Sequence, residues 1–329
     1  MEPAVLATTV AAVVALLLAL AALVHALVTR EARRRRRQHL DADDYDGAVR
    51  VAATPLVVAD KPIAATSFLV IGDWGRRGSF LQREVAAAMS KCAYDAHARF
   101  TVSVGDNFYS SGVKSVHDSH WRDSFENVYY SQFLQHPWYV ALGNHDHRGS
   151  IQAQVDYTAH SSRWRMPSRY FAFSQPAADF FVLDTSQLDE TQLAWLDEEL
   201  GTSTAPIKFV VGHHPIYSAS RERHDPETAA LRQHVLPMLQ RHGVLAYMNG
   251  HDHNLQHLRV EEGGVHLLCS GAGSSARTSG KRPDALPCDV LFYEDAEPGF
   301  MLVQVMESGQ VRVAFMSRKS RLLHEATIR

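Results

Sequence analysis

Phe68-Leu69-Val70-Ile71-Gly72-Asp73 is a short apolar run closed by a glycine and an acid, and the pattern returns down the chain. It recurs as Thr101-Val102-Ser103-Val104-Gly105-Asp106, Tyr139-Val140-Ala141-Leu142-Gly143-Asn144-His145, Phe209-Val210-Val211-Gly212-His213-His214 and Ala246-Tyr247-Met248-Asn249-Gly250-His251-Asp252-His253. Each run has the length and composition of a buried strand. A glycine at its end is expected to turn the chain sharply and to admit close backbone approach. In open α/β sheets, ligands gather beyond the carboxyl ends of the strands. Strands that each end in Asp, Asn or His therefore deliver O and N donors to one place, of types that suit iron, zinc and manganese. In the last run, alternation sets His251 and His253 on the same side of an extended segment, one for each of two metals. His214, directly after His213, is expected to point to the other side of its strand and to be structural.

The segments between these runs fit helices. Apolar spacing predicts them over 80–96, 191–200 and 226–242, the last with Asp225 as N-cap and Pro226 at the first helical position. Near the C-terminus, runs over 300–306 and 311–316 flank Glu307-Ser308-Gly309-Gln310, a hairpin signal. The reading is an α/β fold: a four-layer α/β/β/α sandwich of two mixed β-sheets packed face to face, with helices outside. Residues 146–162 read as a loop able to regulate access.

Bulk properties agree with an enzyme domain. The 329 residues suffice to bury a core, and the net charge of −3 lacks the basic excess of general nucleic-acid binders, so no nucleic-acid partner is expected. A monomer is expected. The 19 histidines invite a search for metal ligands. Three cysteines without a CxxC pattern argue against a thiolate zinc site, and Cys269 with Cys288 is the pair to bridge if any does.

The N-terminus stands apart. Residues 4–28 contain no Asp, Glu, Lys or Arg, a 25-residue stretch long enough to span a bilayer. A single-pass N-terminal membrane anchor is the favoured reading for 1–29. A cleaved signal peptide is the alternative, although the stretch exceeds the usual core and no basic region precedes it. Residues 30–66 read as a basic, then acidic linker, and 67–329 as the catalytic domain. The arginines at 33–37 follow the span, which by the positive-inside rule sets the domain on the cytoplasmic side.

Taken together, Gly72-Asp73-Trp74-Gly75, Gly105-Asp106-Asn107-Phe108-Tyr109, Gly143-Asn144-His145-Asp146, Gly212-His213 and Gly250-His251-Asp252-His253-Asn254-Leu255-Gln256 resemble the signature of the purple acid phosphatases. The likeness is to the small tartrate-resistant type, within the calcineurin-like metallophosphoesterases. Arg163-Trp164, Pro167, Tyr170 and Ser270-Gly271-Ala272-Gly273 support it. The resemblance covers roughly residues 67–320. It implies an acid phosphatase that hydrolyses phosphate monoesters with metal-bound hydroxide at a dinuclear centre of Fe(III) and a second divalent ion, Fe, Zn or Mn. It further implies that Asp73, Asp106, Tyr109 and His253 ligate the ferric ion, and that Asn144, His213 and His251, with Asp106 as the bridge, ligate the divalent one. His145 corresponds to the histidine that contacts the phosphate. A tyrosinate at Tyr109 is a hard donor suited to Fe(III), which also acidifies bound water and so gives a reason for an acid optimum.

The chain departs from the family pattern at Ser220-Arg221-Glu222-Arg223-His224, where His224 or Glu222 fills the second acid/base role, or Arg221 and Arg223 bind phosphate oxygens. The resemblance points to the secretory or lysosomal lumen or the cell surface, against the charge placement. Other readings are a phosphodiesterase, protein or nucleotide phosphatase of the wider superfamily, and a membrane-anchored binding protein with a degenerate site.

Overall fold

Strand β1 (Ala64–Ile71) is buried from Thr66 onward and lies at the centre of a seven-stranded sheet. The structure is a computed structural model that describes residues 64–221, 226–261, 264–281 and 286–329. On one side of β1 run β2 (Phe100–Ser103), β3 (Trp138–Val140) and β4 (Trp164–Arg165), each parallel to its neighbour. On the other side β12 (Gly299–Met306), β13 (Val311–Ser317) and β14 (Leu322–Thr327) are antiparallel. The hairpin joining β12 to β13 is the one the sequence predicts, with Gly309 at φ 84 where an L-residue would be strained. Strand β14 has no expectation behind it.

The second sheet has the order β11 (Cys288–Glu294), β9 (Leu255–Val260), β10 (His266–Ser270), β8 (Ala246–Asn249), β7 (Ile207–Val211), β6 (Ala178–Val182), β5 (Phe171–Gln175). Its middle strands β6, β7, β8 and β10 are parallel, and β5, β9 and β11 are antiparallel additions. Alternation fixes which residues face which layer. Phe180 and Phe209 turn inward and meet Phe68 of the first sheet edge-on, with centroids 5.2 and 5.8 Å apart. Val210 and Tyr247 turn outward into a second cluster with helical Leu196, Leu200, Leu231 and Leu239.

Helix α1 (Gln82–Ala96) lays Val85, Met89 and Cys92 into the core of the first sheet. It starts two residues later than the sequence spacing suggests because Phe80 has φ 58, outside the helical region. The short α2 (Ile151–Asp156) begins at Ser150, whose hydroxyl accepts from the Ala153 N–H. Helix α3 (Glu190–Thr202) is capped by Asp189, which accepts from Gln192 N–H. The expected single helix over 226–242 is α4 (Pro226–Ala230), a π-helical turn (Leu231–Val235) and α5 (Leu236–Arg241). Pro237 explains the break, since it lacks an N–H and its ring crowds the preceding turn. The four-layer sandwich is thus the observed fold.

Several expectations change. Cys92, Cys269 and Cys288 are all free and buried. Cys269 pairs with Gln256 and Cys288 with Val260, so β9 lies between them and they are offset along it. Two strand spacings of ~4.8 Å plus that offset exceed the ~7 Å limit for a disulfide. Residues 64–66, read as linker, belong to β1. Residues 146–162 are no open loop: they hold a 3-10 turn, α2 and a second 3-10 turn. Among the described residues no helix is long and apolar enough to cross a membrane. The expected span over 1–29, the linker up to 63, Asp225, Glu222, Arg223 and His224 lie outside the described residues.

Candidate metal centre

Strands β1, β2 and β3 of one sheet and β7 and β8 of the other end at one rim, and the residues just beyond them meet there. Asp73 is fully buried, and Asp106 is 2% exposed. The Tyr109 hydroxyl lies 2.8 Å from Asp73 Oδ1, 2.7 Å from Asp106 Oδ2 and 3.1 Å from His253 Nε2. His253 Nε2 is itself 3.3 Å from Asp73 Oδ1. On the other flank, Asn144 Oδ1 is 3.2 Å from His213 Nε2 and 3.1 Å from His251 Nδ1, and the two imidazole nitrogens are 3.2 Å apart. Asp106 touches both groups, since its Oδ1 is 3.5 Å from His213 Nε2.

The turns that place these donors differ from the simple expectation. Positive φ values fall on three of the donors themselves, Asp73 at 60, Asp106 at 52 and His251 at 69, and among the five glycines before them only on Gly105, at 93. Several of the preceding glycines serve close approach instead. A Cβ at Gly143 would lie 2.3 Å from both Asp106 N and Oδ1, and one at Gly250 would lie 2.5 Å from Asp73 Oδ2. With His251 left-handed, residues 251–254 are not extended, and β9 starts only at Leu255. His251 and His253 therefore diverge, one to each donor group, by a turn and not by alternation. The alternation argument fails for His214 too, because β7 ends at Val211. Its ring packs 4.5 Å from that of His251, and Nδ1 meets Thr185 Oγ1 at 2.9 Å.

His145 stands at the mouth. Its backbone N–H donates to Asp106 Oδ1 at 2.8 Å, and its Nδ1 lies 2.7 Å from the Ser110 carbonyl. Nε2 is left facing the cluster, 3.8 Å from Asp106 Oδ2. Burial lowers the His145 pKa, against the pull of Asp106. Burial also raises the Asp73 carboxyl, but the hydrogen bond from His253, then the charges of His213 and His253, outweigh it and hold the group below the usual carboxylate range.

The family model described as calcineurin-like phosphoesterase matches residues 66–255. Purple acid phosphatase 3 of Arabidopsis thaliana is 38% identical over 295 residues, which are 82% of this chain and 79% of that protein. The chain belongs to the purple acid phosphatases. Human tartrate-resistant acid phosphatase type 5 is 32% identical to this purple acid phosphatase over 307 residues, covering 82% of the chain and 93% of the relative. Among solved structures, GAP50, the anchor in the inner membrane complex of Plasmodium, matches at a TM-score of 0.70 and 25% identity, over 80% of this chain and 88% of that one.

The donor set of this purple acid phosphatase fits a cation pair. One phenol hydrogen cannot serve both Asp73 and Asp106, so a buried carboxylate faces the Tyr109 oxygen without a proton between them. Burial, then the charges of Asp73 and Asp106, push the Tyr109 phenol well above its ordinary pKa, a penalty that a cation in contact would reverse. His213 Nδ1 lies 2.9 Å from the Val104 carbonyl and donates to it, which fixes the tautomer and leaves a lone pair on Nε2. That lone pair, the Asn144 oxygen and His251 Nδ1 crowd together in a way suited to a shared cation. The ligand atoms of Asp73, Asp106 and His213 all lie within 4.8 Å of one another.

Two supporting residues carried no role in the sequence reading, although both sit inside the quoted motifs. Asp146 is buried and accepts from Gly143 N, Asn107 N, Asn107 Nδ2 and Gln154 Nε2 at 2.9 to 3.1 Å. Asn107 ties this hub to the Ala141 carbonyl at 2.9 Å and to Ser103 Oγ. Arg163 and Trp164, quoted for the family likeness, are scaffold: Arg163 pairs with Glu126 and lies over Phe125, and Trp164 is fully buried.

Proposed function

We propose that this chain is an acid phosphatase that hydrolyses phosphate monoesters at a dinuclear metal centre, with iron as one ion. The observation that carries the reading is the meeting of Asp73, Tyr109 and His253 with Asn144, His213 and His251 across the shared Asp106. The first group would hold the ferric ion and the second a divalent iron, zinc or manganese. When bound, the pair supplies Lewis-acid charge for the phosphoryl oxygens and acidifies water at low pH.

The protein's own part is positioning and proton handling. Asp106 is held by the His145 N–H. His145, its ring fixed through the Nδ1–H to the Ser110 carbonyl, would in its protonated form meet a phosphate oxygen with the Nε2–H and pass that proton to the departing alkoxide, leaving the neutral imidazole. The uncharged stretch 4–28 supports a membrane anchor that tethers this activity to a surface. A second reading, a membrane-tethered scaffold, draws support from the likeness to GAP50, but it needs none of the seven donors that this chain keeps.

The test is the visible spectrum and turnover of the purified full chain loaded with iron and zinc, beside Tyr109→Phe. A purple band that the variant loses, with monoesters cleaved well ahead of diesters at acid pH, is the expected outcome. A colourless wild type holding two divalent ions, or diesters cleaved preferentially, would move the chain to the wider phosphoesterase class. A loaded but inert wild type would favour the scaffold.

A further inference from the structure

Arg76 follows Gly72-Asp73-Trp74-Gly75 and is not one of the seven donors, yet it is fixed against them. Its guanidinium carbon lies 3.7 Å from the centre of the Tyr109 ring and 5.0 Å from that of Phe80. Nε donates to Ser274 Oγ at 3.0 Å, and that hydroxyl donates to the Asp73 carbonyl at 2.7 Å. The Arg76 backbone N–H is held by Gln82 Oε1, which also takes the Gly78 N–H. The loop and the side chain are therefore braced from both ends. Among the described residues no carboxylate pairs with Arg76, and its two terminal nitrogens have no hydrogen-bond partner.

Phe80 makes this arrangement costly to keep. Its ring is 71% exposed, and its backbone sits at φ 58, where a side-chain-bearing residue is strained. Its ring flanks the guanidinium. A planar cation stacked on a ring keeps its edge N–H groups free for an acceptor in its own plane. It has also lost rotamer freedom before any ligand arrives, which lowers the cost of binding. The acceptor chemistry that matches a fork of two N–H donors is an oxyanion, and a phosphate oxygen above all.

We propose that Arg76, clamped by Tyr109 and Phe80, binds a phosphate oxygen of substrate and of product with its two unspent terminal nitrogens. The proposal rests on the phosphatase reading. It makes Arg76 a contributor to the affinity for phosphate and not to the holding of metal.

Calorimetric titration of inorganic phosphate into the metal-loaded full chain tests it, with metal content measured on each sample. Arg76→Gln is expected to weaken phosphate binding by about ten- to a hundred-fold, with unchanged metal content. KM for a monoester should rise more than kcat falls. Arg76→Lys, which keeps the charge without the planar fork, should recover part of the loss. Equal phosphate affinity in wild type and Arg76→Gln would overturn the proposal while leaving the phosphatase reading intact. So would loss of metal together with phosphate, which would make Arg76 a support for Tyr109 only. A loaded wild type that neither binds phosphate nor turns over ester would overturn both.

Discussion

Asp146 never reaches the donor cluster, yet it joins two of the loops that form it. Its carboxylate takes N–H groups from Gly143 and Asn107, the neighbours of Asn144 and Asp106. Asp146→Asn would turn an NH2 towards donors that need an acceptor. The expected cost is about 1–3 kcal/mol, read as a lower urea midpoint, with weaker metal retention. An unchanged midpoint and metal content would sink this account. The meeting of these seven side chains was legible in the sequence because Asp, Asn, His and Tyr are ligand-type residues, and here each follows a strand and a glycine or lies within three residues of that point. Asp146 and Arg76 were not, because nothing in the residue type separates a buried acceptor hub or a stacked cation from a solvated charge. Their roles arise only when loops distant in sequence close on them.

At the scale of elements, the strands were the easy part. Short apolar runs ending in glycine allow little else, and seven of the observed strands fall where they were expected, the five that carry this pattern and the two of the C-terminal hairpin. Residues 146–162 misled because they have polar composition and only a short helix. Their order comes from single side-chain contacts outside the helical pattern: Tyr157 stacks on the distant Trp121 with centroids 3.5 Å apart, Trp164 Nε1 donates to the Gln154 carbonyl, and Thr158 Oγ1 donates to the Met166 carbonyl. Hydrogen exchange should therefore find the amides of 153–161 protected on the timescale of the adjoining sheet, and limited proteolysis should spare the segment. Rapid exchange there would restore the reading as an access loop. The interrupted helix over 226–241 teaches a related lesson. Its apolar stripe is continuous, and only the proline marks the point where the winding must change.

Across the whole molecule, the two sheets are joined at one edge by imidazoles. His324 on β14 belongs to the first sheet, and His257 on β9 and His266 on β10 to the second. His257 Nδ1 is 3.1 Å from His324 Nε2, and its Nε2 is 2.9 Å from His266 Nδ1. Burial, then the neighbouring imidazoles, lower the His257 pKa to about 3, and burial, then Arg259, lower that of His266 to about 4. Burial also lowers His324. The unfolded chain protonates these groups near ~6.5, so between there and about 4 it binds more protons than the folded one. Stability is thus expected to be complete above ~6.5 and to fall as pH drops through that window. Urea midpoints at pH 7 and pH 4.5 measure the slope, and His257→Gln, which bonds without titrating, should flatten it. A variant with the wild-type slope would remove this join as the cause. The two-sheet reading followed from buried apolar runs with helical segments between them, whereas this contact was not legible, since β14 gives no strand signal of its own.

Asp73, Asp106 and His251 each occupy a backbone region in which the side chain crowds its own carbonyl. Glycine would rest there without strain, so at these three positions the backbone taken alone favours loss of the side chain. What opposes it at the two acids is the pair of N–H groups they accept, that of His251 by Asp73 and that of His145 by Asp106. A sequence that still carries all three side chains holds them against that backbone preference.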